Sequence, residues 1–229
     1  MFKRKFFITI DTETTNTRKI GNSLDFRDGL VYDIGWAVHG NDGEPLLTRS
    51  YVVRDIFARM SDVMQSAYYA DKIPQYINDI ASGKRIIADW CDIYTQFRQD
   101  CKNYNVSAII AYNARFDYTV LNATTRYLTK STHRYFSPYG VEWWDSYKMA
   151  IDVISKQKKY KKFCRDNDYM TKHKTPRPQV KAETVYRFMC NNTDFIESHT
   201  ALEDVLIEIE IYRFCRSKKK KMRRKLWND

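Results

Sequence analysis

The sequence predicts an α/β protein: a mixed sheet of about five strands with helices on both faces. Three observations carry this. An apolar, β-branched run, Phe6 to Ile10, stops at acidic residues. Two more strand-like runs follow it, joined by turn chemistry, and helix-like and strand-like segments then alternate. With 229 residues the chain suffices for one domain, and a chain of this size buries roughly three quarters of its unfolded surface without staples. We expect one domain over residues 1–215, with 156–181 as a basic insertion or loop, and a basic tail over 216–229.

The run Phe6-Phe7-Ile8-Thr9-Ile10 reads as a buried strand that meets Asp11-Thr12-Glu13-Thr14. Strand residues two apart share a face, so Asp11 and Glu13 project together. Like charges so close raise each other's pKa, and a hard divalent cation, magnesium or manganese, relieves the repulsion. The plainer reading is a strand that runs into a polar turn. Residues 14–29 read as a polar loop carrying Asn16, Arg18, Lys19, Asn22 and Arg27. Val31 to Val38 reads as a second strand, with Gly35 marking a bulge or a close approach. The turn His39-Gly40-Asn41-Asp42-Gly43 joins it to a third, Leu46 to Val53.

Residues 55–81 read mostly as helix, in two pieces because Pro74 interrupts. Asp89 reads as the N-cap of a helix carrying Trp90, Ile93, Phe97 and Cys101. Val106 to Tyr112 is the next strand, and a helix runs from Ala114 to about Leu128. A short strand, Val141 to Trp144, ends at Asp145 before a helix over 146–154. Residues 156–181 hold eight lysines and two arginines and read as helix fragments with an exposed loop. A helix over 181–190 pairs Glu183 with Arg187, and the last long helix spans Thr200 to Phe214. Eight of the ten residues 216–225 are cationic, a block expected to repel itself and stay disordered as an interaction arm.

The net charge of +11 points to a polyanionic partner, and 17 tyrosines offer surfaces on which bases stack. The five cysteines form no C-x-x-C pair, which argues against a disulfide framework or zinc knuckle and for a reducing, cytoplasmic compartment. The apolar run after Lys3, Arg4 and Lys5 is too short for a signal peptide. No apolar stretch approaches the roughly 20 residues of a membrane span.

Two further acids complete the candidates. Asp117 closes Asn113-Ala114-Arg115-Phe116-Asp117, just after a strand, and Asp204 lies in the first turns of the last helix. Thr200 and Glu203 fit a capping box, which leaves Asp204 as the free acid. Five helical steps separate His199 from Asp204 by about 140°, so the two cannot share a helix face. To serve one site, His199 must sit on the incoming loop, where a near-neutral pKa suits a general base. A solvated loop histidine is the alternative.

These segments resemble the three exonuclease motifs of the DEDDh 3′–5′ exonuclease superfamily, that of the epsilon proofreading subunit of bacterial DNA polymerase III and of RNase T. Asp11-Thr12-Glu13 is similar to the first motif, Asn113-x-x-Phe116-Asp117 to the second, and His199-x-x-x-x-Asp204 to the third. The sister class has a tyrosine four before the last aspartate, where this chain has Thr200. Asp145 resembles a further, supporting acid of the family. The likeness runs from Phe6 to about Arg213; residues 156–181 and the tail match poorly.

The resemblance implies an RNase H-like exonuclease fold and two divalent cations, Mg2+ or Mn2+, about 3.5–4 Å apart. It implies that Asp11 bridges both ions, that Glu13 and Asp204 hold the one carrying the attacking water, and that Asp117 serves the other. His199 would take the water's proton. Thr12, Thr14, Asn113 and Phe116 stand where the family holds the terminal nucleotide, although Phe116 is equally suited to the core. The expected activity is release of nucleoside monophosphates from single-stranded DNA, with an exoribonuclease or RNA-trimming enzyme as the alternative. A non-catalytic nucleic-acid-binding polymerase adaptor is the reading of another class, and the five filled positions count against it. A polymerase or other replication protein is the expected partner, in a bacterial cell or phage-infected host.

Overall fold

In the computed structural model, β1 (Phe7–Thr14) continues through the acids instead of stopping before them. The structure describes residues 5–15, 18–20, 23–25, 29–65, 67, 69–218 and 221–227. Lys3, Arg4, Asn16, Asn22, Arg27, Lys219 and Lys220, part of the charge and loop expectations, lie outside these. Within the expected loop, β2 (Arg18–Ile20) and β3 (Ser23–Asp25) pair as a separate ribbon. β4 (Val31–His39) and β5 (Pro45–Val53) make the expected hairpin. The helical stretch after them is more broken than expected: α1 (Arg54–Phe57), α2 (Ser61–Gln65), a 3-10 turn (Ala70–Lys72) and α3 (Ile73–Ala81). Pro74 opens α3 instead of splitting a helix, because the first turn has no use for its missing N–H.

The chain continues through β6 (Ile86–Ala88), α4 (Trp90–Asn103), β7 (Ala108–Ala111), α5 (Arg115–Leu128), β8 (Glu142–Asp145) and α6 (Ser146–Val153). It ends with α7 (Lys158–Asp166), α8 (Ala182–Cys190) and α9 (Ala201–Lys218). The main sheet has the order β6-β5-β4-β1-β7-β8, six strands against the expected five or so. The extra strand, β6, is three residues long, too short for a period to register. β1 and β5 run antiparallel to β4, while β5–β6, β1–β7 and β7–β8 are parallel, so the sheet is mixed.

Strand alternation sends β1 side chains into two cores. Ile8 and Ile10 pack with Trp36, Phe97 and Val120 on one face. Phe7 packs with Ile110, Met149, Ile211 and Tyr212 on the other, the face of α6 and α9. Asp11 and Glu13 share Phe7's parity and thus project toward α9, whereas Thr12 projects toward α5. β1 pairs with β7 only from Phe7 to Thr9, yet with β4 as far as Thr14. Its acidic end therefore lies beside an opening, flanked by the turn from β7 into α5.

The tail departs from expectation. Leu226 is buried and its N–H bonds the Trp143 carbonyl at 2.8 Å. Asp145 N–H bonds the Arg224 carbonyl at 2.6 Å, and Lys225 bridges to Trp144. The cations find local partners, Arg223 on Asp152 and Lys225 on Glu142, while Arg224 lies over the Trp144 ring. An apolar anchor and an open sheet edge thus outweigh self-repulsion over residues 222–227. Among the described residues no helix is long and apolar enough to cross a membrane.

Candidate active site

Gly35 stands opposite Asp11 in the β1–β4 ladder. A Cβ on it would lie 2.5 Å from the Leu202 nitrogen and 2.7 Å from the Ala201 carbonyl carbon. Only glycine lets the first turn of α9 rest directly on β4, which is the close approach the sequence suggested. That packing brings Asp204 over the strand end. Carboxylate oxygens of Asp11, Glu13 and Asp204 all lie within 4.8 Å of one another.

The start of α9 is fixed from below. Buried Asp33 of β4 accepts the Ala201 N–H at 3.1 Å and the Tyr76 hydroxyl proton at 2.7 Å. Buried Arg85 lies 3.4 Å from Asp33 and donates to Glu203 at 3.0 Å and Asp79 at 3.1 Å. The expected capping box takes a different form: Thr200 donates its hydroxyl proton to the Glu203 carboxylate at 2.6 Å. Burial works to raise the Glu203 carboxyl, but Thr200 and Arg85 overcome it and hold it below its usual range. Glu203 is thereby structural, as expected, and Asp204 is free.

Asp117 does not join the carboxylate trio. It sits in the first turn of α5, buried, and accepts the Thr12 hydroxyl at 2.8 Å. The Thr12 backbone N–H serves it too. The Thr12 side chain therefore faces α5 and supports Asp117, which leaves the expected nucleotide contact to the backbone around Thr12. Asp117 acts on the trio by its charge, the nearest in effect on Asp11.

Two acids that sequence reasoning did not single out complete the cluster. Glu208 lies one helical turn beyond Asp204, buried, and accepts the Tyr112 N–H at 3.1 Å. Its spacing of four from Asp204 was the available signal. Glu197 stands on the incoming loop beside His199; nothing in its sequence context marks it.

Burial, with nearby carboxylate charge added to it, raises every one of these carboxyls. Asp11, Glu13 and Glu208 are held well above the usual range, first by burial and then by their neighbours' charges. Burial, with Glu197 beside it, pushes Asp204 up to about 8, against the pull of Lys72. Asp117 is pushed up to about 7 by burial, with Thr12 restraining it. Glu197 is likewise pushed up to about 7, by burial and the Glu183 charge. An Asp204 oxygen, Oδ1, is buried with no hydrogen-bond partner. Closely grouped carboxylates with an orphaned oxygen fit a hard divalent cation, which would remove the repulsion and satisfy that oxygen.

His199 lies on the loop entering α9 with φ +48°, as its spacing from Asp204 required. Its ring stacks on Tyr69 at 4.8 Å, and Nδ1 stands 3.7 Å from Glu197. Lys72 holds this loop by donating to the Ser198 and His199 carbonyls. Burial and the Lys72 charge lower the imidazole pKa, which favours the neutral ring.

The remaining expected nucleotide-binding residues are split. Asn113 is exposed, with φ +62°, at the turn into α5. Phe116 is half-buried against the main core, and Thr14 is half-buried just past a register shift in β1. Asp145 caps α6 by accepting the Tyr147 N–H at 3.0 Å and also accepts the Asn113 N–H at 3.0 Å, the supporting part expected of it.

No protein-family model and no curated protein matches the sequence. Solved structures do. A 3′-exonuclease, in a structure described as 3′-end-specific recognition of a histone mRNA stem-loop, is similar at TM-score 0.61 and 14% identity, covering 96% of this chain and 85% of that one. The nuclease domain of 3′hExo, a DEDDh family member bound to rAMP, is similar at TM-score 0.55 and 12% identity, with 98% and 99% covered. Exonuclease I, in a structure titled SSB/Exonuclease I with an inhibitor, is similar at TM-score 0.58 and 12% identity; 95% of this chain matches 43% of that one. At such identities the likeness is one of fold, the RNase H-like exonuclease fold.

Proposed function

We propose that this protein is a metal-dependent 3′–5′ exonuclease that releases nucleoside monophosphates from single-stranded DNA. The observation that carries the reading is the trio Asp11, Glu13 and Asp204, grouped at the end of β1 with an orphaned Asp204 oxygen. Asp11, Glu13 and Asp204, with Asp117 beside them, would hold two divalent cations, Mg2+ or Mn2+. When bound, such ions neutralise charge on the phosphate and lower the pKa of water.

The chain's own residues supply the rest. Neutral His199 takes a proton from the attacking water as its oxygen bonds to phosphorus. The bond from phosphorus to the 3′-oxygen of the preceding nucleotide breaks with its electron pair on that oxygen, which takes a proton from solvent water, leaving a 5′-monophosphate and a new 3′-hydroxyl. Asn113, Phe116 and Thr14 border the place of the terminal nucleotide. Thr12 keeps the Asp117 carboxylate oriented.

RNA is the second reading, favoured by the two neighbours whose descriptions name an mRNA stem-loop and rAMP. We place the activity in a reducing, cytoplasmic setting, with a polymerase or other replication protein as partner; the resemblance supports this, and the basic surface supports the nucleic acid. Digestion of 5′-labelled single-stranded DNA and RNA with Mg2+ or Mn2+ tests the function. A ladder shortening from the 3′ end, faster on DNA, is expected; faster shortening of RNA reverses the substrate order, equal rates remove the preference, and no shortening of either rejects the activity.

A further inference from the structure

The basic stretch 156–181 holds one helix, α7, followed by an exposed segment. α7 buries Tyr160 and Cys164 against the second core and turns Lys161 and Arg165 outward. The segment after it is ordered by its own hydrogen bonds. Thr171 N–H bonds the Arg177 carbonyl at 2.8 Å, Gln179 N–H bonds the Tyr169 carbonyl at 2.9 Å, and Met170 bridges to Pro178. Between this segment, α6 and α7 lies a groove of about 640 Å3.

Its charge is one-sided. Lys156, Lys161, Arg165 and Arg177 line it, and no carboxylate does. Among the described residues no acid pairs with Lys161, Arg165 or Arg177; Asp152, outside the lining, is shared by Lys156 and Arg223. Lys161 and Arg165 stand one helical turn apart, a like-charge spacing that destabilises a bare helix. An anion lying between them turns that cost into a gain.

The groove is also linked to the candidate site by contacts through Tyr147. Tyr147 is one of its lining residues, and Asp145 Oδ1 accepts the N–H of both Tyr147 and Asn113. The Tyr147 ring packs edge-on against Tyr112, whose N–H bonds Glu208. The groove is thus tied to the same turn that borders the terminal nucleotide.

We propose that this groove binds the sugar–phosphate backbone of a single strand upstream of its 3′ end, with Lys161, Arg165 and Arg177 on phosphates and Tyr147 as a platform for a base. The inference rests on the exonuclease reading for the strand's direction, and the phosphate pairing carries no sequence preference.

The test is Lys161→Gln/Arg165→Gln/Arg177→Gln, exposed positions whose neutralisation leaves the buried face of α7 intact. Binding of labelled single strands of about 16 nucleotides, DNA and RNA of one sequence, is followed by anisotropy in EDTA across a salt series. Hydrolysis of a dinucleotide is measured separately with Mn2+. The variant is expected to bind the long strand at least tenfold more weakly, with a salt slope lower by about 0.7 for each phosphate it no longer neutralises, and to cleave the dinucleotide at the wild-type rate. An unchanged long-strand affinity and slope overturns the inference while leaving the exonuclease reading intact. Equal reductions on both substrates overturn it too, since the residues then act on the site itself. Wild-type protein that binds through the groove but cleaves nothing overturns the exonuclease reading alone.

Discussion

The Thr12 hydroxyl donates to the Asp117 carboxylate at 2.8 Å, linking the acidic end of β1 to the first turn of α5. It is the main restraint on a carboxyl that burial pushes up to about 7. Thr12→Val keeps the shape and removes the donor. A hydrogen bond to a charged group contributes about 1.5–3 kcal/mol, so the Asp117 pKa rises further and the acid limb of the pH–rate profile moves to higher pH. An acid limb that stays in place contradicts this role for Thr12.

The raised carboxyls also govern stability. In the unfolded chain they titrate near 4; folded, Asp204 is pushed up to about 8 and Asp117 and Glu197 to about 7. Between these values the folded state binds more protons than the unfolded one, so stability falls as pH rises from about 4 to about 8. The melting temperature of metal-free protein should therefore be lower at pH 8 than at pH 5. Mg2+ or Mn2+ should restore it at pH 8, and Asp204→Asn should raise it there without metal. A melting temperature that climbs from pH 5 to pH 8 in EDTA contradicts the repulsion argument.

His199→Ala should slow hydrolysis at neutral pH by about 10²–10⁴, the usual contribution of a general base. Partial recovery at higher pH, where hydroxide is more abundant, is expected, with cation binding kept. Loss of a bound ion in calorimetry would make the histidine a ligand instead.

Much of the site is legible because local rules govern it. Parity along β1 puts Asp11 and Glu13 on one face, and helical spacing puts His199 on the loop before α9. The same parity, followed one step further, separates Thr12 from them and sends it to Asp117. What stayed hidden depends on long-range partners. Asp33 and Arg85 fix α9 from 52 positions apart, and no period announces that pairing. Glu208 was legible in principle, one turn from Asp204, but the Tyr112 N–H that it accepts lies 96 positions away in the chain. The tail misled because charge count dominates its composition, while one leucine and an open strand edge decide its place.

That tail carries a consequence for stability. Ending the chain after Lys218 exposes the surface that Leu226 covers, worth about 1.5–3 kcal/mol for a fully buried side chain. It also removes the acceptor of the Asp145 N–H. The melting temperature should fall by several degrees, at about 2–4 °C per kcal/mol for a chain of this size. An unchanged melting temperature would mean that residues 222–227 do not stabilise the sheet edge.

Whether Asp11, Glu13 and Asp204 together form the hydrolytic centre is tested most directly by single-turnover digestion of a 5′-labelled single strand with Mn2+, comparing wild type with Asp204→Asn. We predict stepwise shortening from the 3′ end by the wild type and none by a folded variant. Shortening by Asp204→Asn at the wild-type rate would contradict the account.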